Sequence, residues 1–180
     1  MSLLPTQAYL TRGVGHHRHE LVAFELALRD AGVAAQNLVT VSSILPPGCP
    51  LVTREEGQKQ LQPGQILFVV MSRVESCEMG QSEVASIGLA RPSKPDTHGF
   101  IAEHDAVDTP AEEVEKRAVE LAATMLASSL GVLTENAGDR EFWSDLPEIS
   151  ETRAISAEAR CEEDGEWTVA VALCVLLIEN

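Results

Sequence analysis

The run Trp167 to Ile178 (WTVAVALCVLLI) is apolar at odd and even positions alike. Side chains alternate faces along a strand, so a strand apolar on both faces has to be covered on both. The run therefore predicts a central strand between two layers. From Val169 to Ile178 it falls far short of the roughly 20 residues that cross a bilayer as a helix, so no membrane span is expected. The start, MSLLPTQAYLTRG, lacks the basic start and long apolar run of a secretion signal. At 180 residues the chain suits one domain, read over 1–180.

Other elements fall into place around that strand. Ala8 to Thr11 predicts a short strand closed by Gly13-Val14-Gly15. Glu20 to Ala31 predicts a helix with Leu21, Phe24, Leu28 and Ala31 on its inner face, stopped by Gly32. Leu38 to Val41, Ile66 to Val70, Glu83 to Ala90, Gly99 to Glu103 and Thr152 to Ala159 read as strands. Thr109 as N-cap and Pro110 as first residue predict a helix to about Leu130, with Val114, Ala118, Leu121, Ala122 and Met125 inward. Residues 138–147 read as loop, and Glu162-Glu163-Asp164-Gly165 as a turn into the last strand. Many strands and two principal helices predict an α+β fold, with helices covering sheets from outside.

A formal net charge of -15 argues against nucleic acid as a partner, because phosphate recognition needs clustered Lys and Arg. It suits either solubility or the attraction of a cationic substrate. Four scattered cysteines with no CxxC pair predict reduced thiols and a cytoplasmic location. His16, His17 and His19 cluster, but no carboxylate or thiolate joins them at metal-binding spacing, so a solvated turn is expected and no metal. Gly13-Val14-Gly15 lacks the third glycine of a phosphate loop.

The chemistry concentrates in NLVTVSSILPPG, Asn37 to Gly48, where Ser42 and Ser43 stand between a β-type run and a stiff proline turn. Such a dipeptide reads either as two hydroxyls in a turn or as a place where a chain cuts itself. Ser43 Oγ can attack the Ser42 carbonyl through a five-membered ring, converting the amide to an ester. Peptide resonance opposes this, so the bond must be strained or otherwise activated. Elimination at Ser43 Cα then releases Ser42 as a new C-terminus. The dehydroalanine left behind hydrolyses to a pyruvoyl group and ammonia.

YLTRGVG (Tyr9 to Gly15), LVAFELALRDAGV (Leu21 to Val33), NLVTVSSILPPG, HGFIAEHDA (His98 to Ala106) and TPAEEVEKRAVELAATML together resemble the pyruvoyl-dependent arginine decarboxylases, in order and spacing. The resemblance implies a four-layer α/β/β/α sandwich of the pyruvoyl-dependent histidine/arginine decarboxylase type. It implies self-cleavage into 1–42 (β chain) and 43–180 (α chain), and a covalent pyruvoyl cofactor from Ser43, with neither pyridoxal phosphate nor metal. The reaction implied is L-arginine to agmatine and CO2 through a Schiff base, the ketone acting as electron sink. Asn37 would polarise the Ser42 carbonyl during the cut. Glu103 would return a proton to the former α-carbon, its neighbours Phe100, Ile101 and Ala102 desolvating it and raising its pKa.

Glu25 would bind the substrate guanidinium, which needs a carboxylate. It stands in AFELAL where the family has Asp, leaving open another amino acid such as histidine. A homotrimer with active sites between subunits is implied, possibly paired as a dimer of trimers. A non-catalytic homologue serving as a binding or assembly subunit is the competing expectation.

Overall fold

The computed structural model describes residues 3–132 and 146–178. Of the predicted loop at 138–147, residues 138–145 lie outside the described residues. In chain order the elements are β1 (Gln7–His17), α1 (Glu20–Ala31), β2 (Asn37–Thr40), β3 (Ile44–Leu45), α2 (Arg54–Gln58), β4 (Ile66–Ser76), β5 (Ser82–Pro92), β6 (Gly99–Val107), α3 (Ala111–Ser129), β7 (Ile149–Arg160) and β8 (Trp167–Leu177). Among the described residues the strands form two four-stranded sheets, ordered β1-β8-β4-β2 and β3-β6-β5-β7. The α+β expectation holds, with the sheets packed as a sandwich.

β8 occupies the central position its composition demands, antiparallel between β1 and β4. Its two faces feed two different cores. Ala170, Ala172, Cys174 and Leu176 meet Ala85, Ile87, Leu89 and Ile101 of the other sheet. Val169, Val171, Leu173, Val175 and Leu177 pack under Ala23, Ala27 and Ala31 of α1. A third core joins Ala122, Ala123, Leu126 and Ala127 of α3 to Ala90 and Ala102 on the outer face of the second sheet.

Three local expectations change. β1 does not stop at Gly13 but runs on to His17, paired with β8 throughout. Both glycines serve close packing instead: a Cβ at Gly13 would sit 2.1 Å from the Ala27 carbonyl oxygen, and one at Gly15 would sit 2.1 Å from that of Ala23. α1 consequently turns its alanine stripe inward and leaves Leu21 77% exposed, because only small side chains fit a helix drawn so near the strand. The same extension of β1 makes His16 and His17 strand residues rather than part of a turn.

The third change is at α3, which starts at Ala111 with Pro110 in the cap position; the Thr109 hydroxyl donates to the Val107 carbonyl instead. Its inner face includes Val114, Ala118 and Ala122 as expected, joined by Ala123, Leu126 and Ala127. The short α2 escaped the sequence reading, although Thr53 and Glu56 form a reciprocal capping box at its start.

Candidate active site

The serine pair lies where the chain passes from one sheet to the other. β2 runs parallel to β4 as the edge of the first sheet, and its last ladder bond is Val41 N–H to the Val69 carbonyl at 2.9 Å. Two residues later the chain belongs to the second sheet: Ile101 N–H donates to the Ser43 carbonyl at 2.8 Å, and Ile44 pairs with Phe100. The 42–43 peptide bond is therefore held on one side by each sheet. Pro46 and Gly48, the latter at φ 66°, then turn the chain away. Ser43 is half-buried and Ser42 exposed.

A further hydrogen bond falls on the carbonyl that precedes Ser43. Ile44 N–H donates to the Ser42 carbonyl oxygen at 3.0 Å, closing a tight turn centred on Ser43.

Glu103 shares this edge. It lies on β6 two residues beyond Ile101, the residue that holds Ser43, and so on the same face of the strand. β3 pairs only with Gly99 and Phe100, so the outer backbone edge of β6 at Glu103 and Asp105 carries no strand partner among the described residues. Within one chain Glu103 is exposed, not desolvated by Phe100, Ile101 and Ala102 as the sequence suggested. Two of those three neighbours point into the sandwich or under α3: Ile101 and Ala102 are buried in separate cores.

Asn37 and Glu25 lie elsewhere in the chain. Asn37 opens β2, and its side-chain amide donates to the Gly64 carbonyl at 2.9 Å. At about 3.3 Å per residue, roughly 13 Å of strand separates it from Val41, so one chain does not bring it to the serines. Glu25 sits on α1, outside the first sheet, where its Oε1 accepts from Arg29 Nη2 at 2.8 Å and Nε at 3.2 Å. That contact is informative: Glu25 already holds a guanidinium through two of its nitrogens.

No group of three His, Cys, Asp or Glu among the described residues is arranged to hold a metal ion. His16 instead pairs its Nδ1 with the Thr168 hydroxyl at 3.1 Å, and the His17 Nδ1 accepts from His19 N–H. No described helix is long and apolar enough to cross a membrane. A groove of about 610 Å³ runs between α3 and β7 and is lined by Glu112, Glu115, Glu120 and Glu151 among others, away from the serine edge. The chemistry of the site fits a serine-derived ketone: a hydroxyl at position 43, a carbonyl before it with a donor in place, and a carboxylate on the adjoining strand.

Comparison with known proteins agrees with this geometry. The family described as "Pyruvoyl-dependent arginine decarboxylase" matches residues 7–180. The "Pyruvoyl-dependent arginine decarboxylase" of Nitrosopumilus maritimus is 40% identical over 182 residues, covering 99% of this chain and all of the relative. "Pyruvoyl-dependent arginine decarboxylase 1" of Methanosarcina acetivorans is 38% identical, with 98% of each chain covered. A "Probable pyruvoyl-dependent arginine decarboxylase" of Chlorobaculum tepidum is 41% identical over 98% of this chain and 99% of its own. Similarity of this extent, over the whole length of both partners, makes the chain a member of the pyruvoyl-dependent arginine decarboxylase family.

Proposed function

We propose that this chain cuts itself between Ser42 and Ser43 and that the mature protein decarboxylates L-arginine to agmatine and CO2. The observation that carries the reading is the serine pair itself, pinned between two sheets with Glu103 on the strand that holds it. Ser43 supplies the nucleophilic hydroxyl and later the carbon skeleton of the pyruvoyl group; Ser42 supplies the carbonyl. When present, the ketone withdraws electrons from the substrate as CO2 leaves.

Glu103 is the group that hands a proton to the former α-carbon, and the open β6 edge gives substrate access to it. Glu25 holds the guanidinium end of the substrate, displacing Arg29. An exposed intrahelical pair of this kind is worth only about 0.3–0.5 kcal/mol, so it yields readily. The remaining dimension is assembly. Asn37 and Glu25 are remote from the serine pair within a chain, and the edge carries Val39 and Ile44 at 40% and 42% exposure. Exposed apolar side chains beside unpaired strand edges favour coverage by another copy. We therefore place Asn37 and Glu25 in sites completed between subunits of a homotrimer, and assign the four-layer α/β/β/α sandwich type on the three cores described above. Cys49, Cys77, Cys161 and Cys174 are all free thiols, in keeping with the cytoplasm.

The test is direct. Purified protein is assayed for 14CO2 release from carboxyl-labelled arginine, with histidine and ornithine as competitors. Release from arginine with agmatine as product supports the reading. A cleaved protein that decarboxylates a different amino acid overturns the substrate, and one that decarboxylates none supports the non-catalytic alternative.

A further inference from the structure

We infer that the backbone N–H of Ile44 is an oxyanion donor for self-cleavage, a role that rests on the proposed cut at Ser42–Ser43. The first step of that cut joins Ser43 Oγ to the Ser42 carbonyl carbon. The C–N bond to Ser43 breaks, and the hydroxyl proton passes to the released nitrogen. Loss of the Cα proton of Ser43 with cleavage of its Cβ–Oγ bond then frees the Ser42 carboxylate. One water enters and one ammonia leaves as the ketone forms. The Ser42 carbonyl oxygen becomes a full alkoxide in the first step and carries only a shared part of the carboxylate charge in the elimination, so a donor already aimed at that oxygen acts most strongly on the first step.

Ile44 N–H meets the requirement for a structural reason. β3 is two residues long, and its pairing with β6 directs the Ser43 carbonyl and the Leu45 backbone toward that strand. Alternation along an antiparallel pair then turns the backbone groups of Ile44 off the edge, away from β6. Its N–H is left out of the ladder and is taken up by Ser42 O at 3.0 Å. Ser43, at the centre of this turn, is not among the residues with positive φ, which makes the turn the inverse γ type. The donor needs no rearrangement when the carbonyl becomes an alkoxide, and hydrogen bonds to an ionised acceptor are about twice as strong as neutral ones. It also comes from the same chain, whereas Asn37 is held at the other end of β2 on the Gly64 carbonyl.

The role is tested by removing that N–H while keeping the side chain. The chain is assembled by ligation with Ile44 replaced by the corresponding α-hydroxy acid, which keeps the side chain and substitutes an ester oxygen for the amide. Appearance of the two fragments is followed by intact mass, and the ester formed in the first step is trapped with hydroxylamine. Cleavage is expected to slow by about 10²-fold or more, the usual effect of deleting one such donor, with the trapped ester falling in parallel. The same replacement at Leu45, inside the β3–β6 ladder, controls for loss of any amide at this edge, and Ile44→Val, which keeps the N–H, is expected to cut at close to the unmodified rate. Unchanged cleavage of the Ile44 hydroxy-acid chain overturns the inference. So does equal slowing by the Leu45 replacement, which would make the bond structural. Failure of the unmodified chain to cut at all is a different result and removes the self-cleavage reading itself.

Discussion

Glu83 is fully buried between the sheets. Burial, with Asp108 adding to it and the Ser76 hydroxyl offsetting part, pushes its pKa up to about 6. The folded state thus binds a proton more tightly than the unfolded chain does. The stability this contributes is fully present below the ordinary carboxylate value and is lost as pH rises through about 6. Glu83→Gln is expected to be more stable than the parent above pH 7, by up to about 2 kcal/mol, with the difference gone below pH 4.5. Urea melts at pH 4.5, 6 and 8 read this directly, and a difference independent of pH would contradict it. Glu25 makes a second prediction at this scale. Arg29 competes with substrate for it, so Arg29→Ala is expected to lower KM for arginine about twofold, and Glu25→Ala to raise KM by tenfold or more. An unchanged KM in both variants would make Glu25 a structural residue. Glu103→Gln is expected to cut normally but to lose at least about 10²-fold in kcat, because Gln has no proton to give.

Helix α1 shows how one element can be legible in extent and only partly legible in orientation. Its start, its end and the left-handed Gly32 at φ 77° were all readable from sequence. The inner face is readable only in part: Ala31 is buried and Phe24 and Leu28 pack against the core beneath α1, whereas Leu21 is exposed and Ala23 and Ala27 take the innermost places. The deciding signal lay on a different strand, at Gly13 and Gly15, whose missing side chains make room for Ala23 and Ala27. Once read as a packing device, the pair predicts that Gly13→Ala and Gly15→Ala each cost about 2 kcal/mol or more, since the neighbours are backbone atoms that cannot swing aside. Gly48→Ala offers a comparison with open space around the new methyl, where only the positive φ resists it. Chemical denaturation of the three variants ranks them, and tolerance at Gly13 and Gly15 would mean α1 is not clamped to β1. The buried strands were the easy elements, since apolar runs such as Ile66–Val70 have few alternatives in a chain this size.

At the scale of the molecule, sequence nominates candidate site residues but not which of them one chain brings near one another. Ser43 and Glu103 lie along one sheet edge because β3 and β6 are antiparallel neighbours, a pairing between residues about 60 apart that no local pattern announces. Asn37 is close to the serines in sequence yet remote in space, because an extended strand separates positions that a turn would have joined. If Asn37 acts from a neighbouring subunit, two uncuttable chains should rescue one another. Asn37→Ala and Ser43→Ala proteins, each uncut alone, are expected to yield cleaved Asn37→Ala chains when co-expressed. Absence of cleavage in the mixture would confine Asn37 to its bond with Gly64. The proposed chemistry depends on the cut itself, and intact mass of the purified protein measures it. The account predicts two fragments, 1–42 ending in a free Ser42 carboxylate and 43–180 beginning with a blocked carbonyl that borohydride reduces. A single chain of 19.4 kDa that stays whole on prolonged incubation would contradict it.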